Sequence, residues 1–175
     1  MTQLIGYVDM NAYFASIEQQ TNPALRGKAI AVGGRPSNTG KVSSRSVITT
    51  ASYEARALGI KTAMSTHEAL NKLPSLKLIS PNYGKYQAYT KRIAELAAEF
   101  SPHVGLCSID ELLFDLTHLL DPDDPEKTVC RIKQFVISFK AQLASAIGPF
   151  VTASIGFANS ATLAKLAADQ FKPDG

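Results

Sequence analysis

Two adjacent carboxylates, Asp110 and Glu111, lie inside the apolar run Cys107–Leu116 (CSIDELLFDL), and Asp115 follows four residues later. A buried charge without a partner is costly, so acids in such a run need a counter-charge or a turn that exposes them. A further acid, Asp9, closes the short apolar run Leu4–Val8. Both stretches read as strands. If the Leu4–Val8 strand lies beside a Val104–Ile109 strand, then Asp9, Asp110 and Glu111 meet at one sheet end. Neighbours on a straight strand point to opposite faces, so the backbone must bend between Asp110 and Glu111 for them to converge. Three converging carboxylates do not all stay ionised without a cation. Hard divalent cations take oxygen ligands, and Mg²⁺ shares its shell with water and phosphate, so a few carboxylates suffice. Two such ions, roughly 4 Å apart, would align an attacking and a leaving oxygen. A turn with ordinary hydrogen bonds explains the same spacing, and spacing alone leaves both readings open.

A second group is Thr50-Ala-Ser-Tyr53-Glu-Ala-Arg56. Tyr53 and Arg56 are three apart and share one face of a helix. Ser52 is placed to cap it. Arg, Tyr and Thr donors together suit a phosphate, while an ordinary exposed first turn is the plainer reading. Lys165 sits among Leu163, Ala164 and Leu166; such a lysine either snorkels to water or aims its cation at the same phosphates. Tyr13 and Phe14, just past Asp9, are core aromatics or the floor of a sugar or base pocket. His67, His103 and His118 show no ligand spacing.

Strands are expected at Leu4–Val8, Lys28–Val32, Val42–Thr50, Leu76–Ile79, Val104–Ile109, Leu112–Leu116 and Val151–Ile155. Helices are expected at Asn11–Gln20, with Asn11 as N-cap, and at Tyr53–Leu58, Ser65–Leu73, Tyr83–Phe100, Glu126–Ile147 and Ala161–Phe171. On the Glu126–Ile147 helix, Val129, Ile132, Val136, Phe139 and Leu143 mark the apolar face. Alternating helices and strands with hairpin-like pairs predict an α+β protein, a mixed or antiparallel sheet with helices packed on one face.

The composition is globular, 45% hydrophobic and 19% charged. The net charge of +3 is uneven: residues 22–100 hold twelve Lys/Arg against four Asp/Glu. A basic block favours a polyanion such as nucleic acid or a triphosphate. Cys107 and Cys130 read as reduced core thiols, with a disulfide left open. The N-terminus lacks the basic region of a signal peptide, and no run approaches the ~20 apolar residues of a membrane span. A cytoplasmic protein without membrane partners is expected.

Four stretches together resemble one family. VDMNAYFASIEQ, KAIAVGG with TTASYEARALGIKTAMS, CSIDELLFDLT, and TASIGFANSATLAKLAADQFKPDG resemble, in order and at family-like spacing, the catalytic core of the Y-family translesion DNA polymerases, of the DNA polymerase IV or DinB-like type. The resemblance implies a ferredoxin-like palm over residues 1–11 and 79–175, with a small fingers insertion over 12–78. It implies template-directed transfer of a dNTP to a primer 3′-hydroxyl with low fidelity and lesion bypass. Asp9, Asp110 and Glu111 would hold two Mg²⁺ ions, for which Mn²⁺ can substitute, with the Met10 carbonyl as a further ligand. Tyr13 would lie under the nucleotide, and Phe14 would be the gate against ribose. Thr50, Tyr53, Arg56 and Lys165 would grip the triphosphate. Primer–template DNA and a dNTP are the implied partners, with a sliding clamp met through C-terminal regions outside these 175 residues.

The sequence also departs from the family pattern. The loop Gly34–Ser46 is longer than usual, and Ser160-Ala161 stands where the family often has Asn-Lys. The resemblance ends with the palm, so the thumb and little finger are absent from this chain, and weak primer extension is expected of it alone. A catalytically silent relative acting as an accessory in damage tolerance is the alternative, against which all three carboxylates argue. A ferredoxin-like nucleotidyl cyclase shares the palm chemistry, but the YEAR stretch and Lys165 favour the polymerase.

Overall fold

The computed structural model describes residues 3–34 and 46–175. Most of the Gly34–Ser46 loop, and the start of the strand expected at Val42–Thr50, lie outside the described residues. The strands in chain order are β1 (Ile5–Met10), β2 (Ile30–Gly33), β3 (Ile48–Ala51), β4 (Lys77–Ile79), β5 (Val104–Leu106), β6 (Glu111–Asp115) and β7 (Ala153–Ala158). The helices are α1 (Tyr13–Thr21), α2 (Tyr53–Ala57), α3 (Thr66–Lys72), α4 (Tyr83–Ala98), α5 (Pro125–Ala146) and α6 (Ala161–Gln170). Two compact units divide the chain, Met1–Asn11 with Gln87–Gly175, and Ala12–Tyr86.

The first unit is built on an antiparallel sheet in the order β5-β6-β1-β7. This is the ferredoxin-like order. The strand beside β1 is β6; the Val104–Ile109 stretch, considered from the sequence as a neighbour of β1, forms β5, the outer strand. The register pairs Ile5 with Asp115, Tyr7 with Leu113 and Asp9 with Glu111. Since side chains alternate across a sheet, Ile5, Tyr7, Asp9, Leu113 and Glu111 share one face. Phe114 and Phe157 stand on the other, both opposite Gly6. Phe114 packs edge-on to Phe135 and Phe139 of α5, and Phe139 meets Phe100 at 5.3 Å just beyond α4.

Helix α5 starts cleanly because Asp124 accepts a hydrogen bond from Lys127 N at 2.9 Å and Pro125 takes the first turn. Its buried stripe is Phe135, Phe139 and Leu143, at fourfold spacing, while Val129, expected on that stripe, is exposed. Helix α6 covers the opposite face of the sheet, an addition to the helices packed behind Phe114. Its close approach needs small residues on both sides. A Cβ added at Gly156 would lie 2.1 Å from the Ala164 carbonyl oxygen and 2.3 Å from Ala168 N. Ser160 accepts from Leu163 N and caps α6.

The second unit carries a mixed sheet, β3-β2-β4, with β2–β3 antiparallel and β2–β4 parallel. Its core is Ala31, Ile48, Ala51, Ala55, Ile60, Ala69 and Leu76. A side chain at Gly33 would meet the Val47 carbonyl at 2.5 Å, so the bulged end of β2 admits only glycine. Glu18 is buried on α1 and is satisfied there by the Tyr86 hydroxyl at 2.8 Å and Lys85 Nζ at 2.7 Å.

Two expectations fail locally. Asn11 does not cap α1: Ala12 holds the cap position in the left-handed region (φ 45°), with no side-chain cap. The Asn11 carboxamide lies instead between the hydroxyls of Thr152 and Ser154, at 3.0 and 2.9 Å, where buried partners outcompete a helix amide. The cysteines are free, as expected, but exposed rather than in the core, because Cys107 lies beyond the end of β5 and Cys130 off the buried stripe of α5. All three histidines are exposed. Among the described residues, no helix is long and apolar enough to cross a membrane.

Candidate active site

The β1–β6 ladder ends in acids. Asp9 faces Glu111 across the pairing, and Ser154 of β7 lies opposite Asp9 on its other side. Asp110 joins them through the backbone, its carbonyl accepting from Met10 N at 2.9 Å. The turn before it is pinned twice. Thr90 Oγ1 donates to the Ile109 carbonyl at 2.5 Å, and Ser108 Oγ donates to the Asp110 carboxylate at 2.7 Å. The turn reading holds: Asp110 is a hydrogen-bonded turn residue beside the sheet end where Asp9 pairs with Glu111.

Two lysines supply the counter-charge. Lys172 Nζ lies 2.6 Å from Asp9 and 2.7 Å from Asp169. Lys165, on α6, is ion-paired with Glu111 and lies 5.5 Å from the centre of the Tyr7 ring. Burial pushes the Asp9 carboxyl above its ordinary range; Lys172 pulls it down, and the charges of Asp110 and Glu111 add to the rise. Burial also pushes Glu111 up, but hydrogen bonds from Lys165 and Ser108 outweigh it and hold this acid below the usual carboxylate range. Burial, then the Glu111 charge, raises the Tyr7 phenol to about 12.

Among the described residues, no group of three or more His, Cys, Asp and Glu side chains is arranged to hold a metal ion. Asp9 and Glu111 are each turned onto a lysine. The donor chemistry nevertheless fits a divalent cation. Hard carboxylate oxygens from two facing strands and the adjoining turn gather where negative charges already oppose one another, and ammonium groups now fill the cationic role.

The remaining candidates lie in the second unit, Lys165 excepted. Thr50 is in β3 opposite Val32, and Ser52 caps α2 by accepting from Ala55 N. Arg56 is exposed, its Nε donating to the Ala51 carbonyl at 2.9 Å and its guanidinium carbon 4.8 Å from the Tyr53 ring centre. The Thr50–Arg56 stretch is thus one ordered local unit. Tyr13 and Phe14 are buried. Phe14 stacks on Tyr86 at 4.3 Å, and the Tyr13 hydroxyl donates to the Tyr86 carbonyl at 3.1 Å. Sequence reasoning missed Lys172 and Asn11 as parts of the acid end. Asn11 has a signal in its place two residues after Asp9. Lys172 has none, because only the fold returns residue 172 to residue 9.

This geometry lies within a recognisable family. The model of the impB/mucB/samB family matches residues 8–169. The chain belongs to that family, the Y-family of the resemblance. It is 36% identical over 173 residues to DNA polymerase IV of Oceanobacillus iheyensis, covering 99% of this chain and 38% of the relative. It is equally identical over 175 residues to DNA polymerase IV of Streptococcus suis, covering all of this chain and 46% of that one. The chain therefore spans less than half the length of these curated relatives. Among solved structures, an insertion ternary complex of Dbh DNA polymerase superposes with a TM-score of 0.83 at 29% identity, over 98% of this chain and 47% of that one. DinB from Sulfolobus solfataricus gives 0.79 at 28%, over 98% and 47%. The α+β reading of the sequence and its ferredoxin-like sheet agree with these likenesses.

Proposed function

We propose that this chain carries the catalytic part of a low-fidelity, lesion-bypassing DNA polymerase that transfers a nucleotide from a dNTP to a primer 3′-hydroxyl. The carrying observation is the pairing of Asp9 with Glu111 across β1 and β6, with Asp110 in the adjoining turn. Residues 1–11 and 79–175 form the palm and residues 12–78 the fingers. Asp9, Asp110 and Glu111, with the Met10 carbonyl, are the ligands of two Mg²⁺ ions, which Mn²⁺ replaces. Bound there, such ions supply the positive charge that activates a hydroxyl and stabilises a leaving pyrophosphate. Thr50, Tyr53, Arg56 and Lys165 bind the triphosphate through charge-assisted hydrogen bonds. Tyr13 lies under the nucleotide, and Phe14, held by its stack on Tyr86, limits the sugar edge. Primer–template DNA is the second substrate, and regions that this chain does not span meet a sliding clamp. The protein is cytoplasmic. Support comes from family membership and from the names of the relatives.

Calorimetry of the 175-residue chain with Mn²⁺ and a dNTP tests this reading. Binding is expected for the parent and lost when Asp9, Asp110 and Glu111 are all replaced by Ala. Equal binding by the two proteins would overturn it.

A further inference from the structure

Phe14 is held by more than the rings around it. Tyr86 stacks on it with ring centres 4.3 Å apart and planes 13° from parallel. Tyr83 meets both rings edge-on, at 6.0 and 6.2 Å. Such contacts set a separation but leave the sideways position loose, because aromatic pairs are favourable over a range of offsets. A hydrogen bond is directional and removes that freedom. The Tyr86 hydroxyl donates to Glu18 Oε1 at 2.8 Å, and Lys85 Nζ donates to the other oxygen, Oε2, at 2.7 Å. Phe14 and Glu18 are four apart on α1 and so share one face of that helix. Tyr86 therefore spans one turn of α1, with its ring on Phe14 and its hydroxyl on Glu18. Its carbonyl is tied to the same helix by the Tyr13 hydroxyl at 3.1 Å.

The acid is buried, its side chain 8% exposed against 26% for that of Lys85. Stability does not call for a carboxylate there, since an apolar side chain of similar volume generally serves as well as a buried ion pair. What Glu18 adds is direction. Two charge-assisted bonds, from neighbouring residues at the start of α4, fix the oxygen on which the Tyr86 hydroxyl rests. Lys85 is itself anchored, its amide donating to Asn82 Oδ1 at 3.0 Å. We propose that Glu18, clamped by Lys85, is a positioning residue for sugar discrimination, holding the Tyr86 ring and through it the Phe14 face against which a nucleotide sugar lies. The inference rests on the reading of Phe14 as the sugar gate, and adds the device that sets its ring. Glu18 acts through Tyr86. With the anchor cut, Tyr86 slides over Phe14, the Phe14 ring follows, and room opens for a 2′-hydroxyl.

The test has two readouts on the full 175-residue chain. NMR of the Phe14 ring protons, without nucleotide, reports the stack, because the ring current of Tyr86 shifts them upfield. Calorimetry with Mn²⁺ present gives the ratio of dATP to ATP affinity. Tyr86→Phe keeps the ring and removes the hydroxyl, and Glu18→Leu removes the acceptor. Both should bring the Phe14 shifts toward ordinary values. Both should lower the preference for dATP about tenfold, the scale of one hydrogen bond to a charged group. The change should come from tighter ATP binding with dATP binding near the parent's, whereas a merely damaged site would lose both. Lys85→Met should lower the preference about threefold, the scale of a partly exposed ion pair. Lys85→Arg, which keeps a cation on Glu18, should leave it intact. If Glu18→Leu fails to fold, Tyr86→Phe carries the test alone. Parent-like Phe14 shifts in Tyr86→Phe, or a parent-like preference for dATP, would overturn the anchor. A parent without that preference, or a Phe14→Ala variant that keeps it, would instead overturn the gate on which the anchor stands.

Discussion

Asp9 and Lys172 meet across 163 residues of chain, and Glu111 and Lys165 across 54. Thr50, Ser52, Tyr53 and Arg56 come from a single stretch of seven. The first group exists only because β1, β6, β7 and α6 fix one another's register. The second is a short run closed by its own cap and one side-chain-to-backbone bond, and anchored at its start to the neighbouring strand β2 through Thr50 and Ser52. A group assembled at long range should fail with the core behind it. A mostly local group should fail chiefly with its own cap.

The largest effect should come from the core behind the acids. Phe114→Ala removes a fully buried ring that touches Phe135 and Phe139, and should cost ~3–5 kcal/mol in chemical denaturation. Divalent-ion binding should fall with it. A loss under 1 kcal/mol would mean that the acid end does not depend on that packing. Gly156→Ala comes next. Its Cβ would press on the backbone of α6, so that helix must shift, at ~1–3 kcal/mol. The Lys165–Glu111 contact should loosen in its crystal structure, and an unmoved α6 would contradict this account. In the second unit, Ser52→Ala should cost about 1 kcal/mol, because Ser52 accepts from both Ala55 N and Ile30 N. Divalent-ion binding without nucleotide should stay unchanged, and a parallel loss of binding would erase the contrast between the two groups.

The smallest effect concerns acid stability at the far end of β6. Hydrogen bonds from Thr117 lower the Asp115 carboxyl below its ordinary value. A carboxyl lowered on folding adds stability above its unfolded value, near pH 3.9, and loses it as pH falls through the folded one. Asp115→Asn should therefore flatten slightly the acid limb of the pH–stability curve and leave its neutral part nearly parallel to the parent's. A difference that grows toward pH 9 would be the wrong sign.

How much of this the sequence revealed follows the same division. The Ser52 cap was legible because a cap needs only its own turn, and the caps at Ser65 and Asp124 follow the same rule. The elements themselves were legible from apolar spacing, most ends displaced by a residue or two, but β5 stops three residues before the expected Ile109 and β7 runs three residues past the expected Ile155. The neighbour of β1 was not, since nothing local separates β5 from β6 as a partner. The convergence of Asp9 with Glu111 was anticipated, but the lysines that meet them were not both found. Lys165 stood out by position on an apolar helix, whereas Lys172 lies in a polar tail without periodicity. Asn11 was misjudged because a residue before a helix normally caps it, and here the tertiary partners Thr152 and Ser154 win.

The central claim is that Asp9, Asp110 and Glu111 share a divalent cation. Anomalous diffraction from a crystal of this chain soaked in Mn²⁺ and a dNTP tests it most directly. The account predicts a manganese peak roughly 2.0–2.3 Å from oxygens of all three carboxylates, a range set by hard-cation coordination. A saturated crystal with no peak there, or with Lys172 and Lys165 still closed on Asp9 and Glu111, would contradict it.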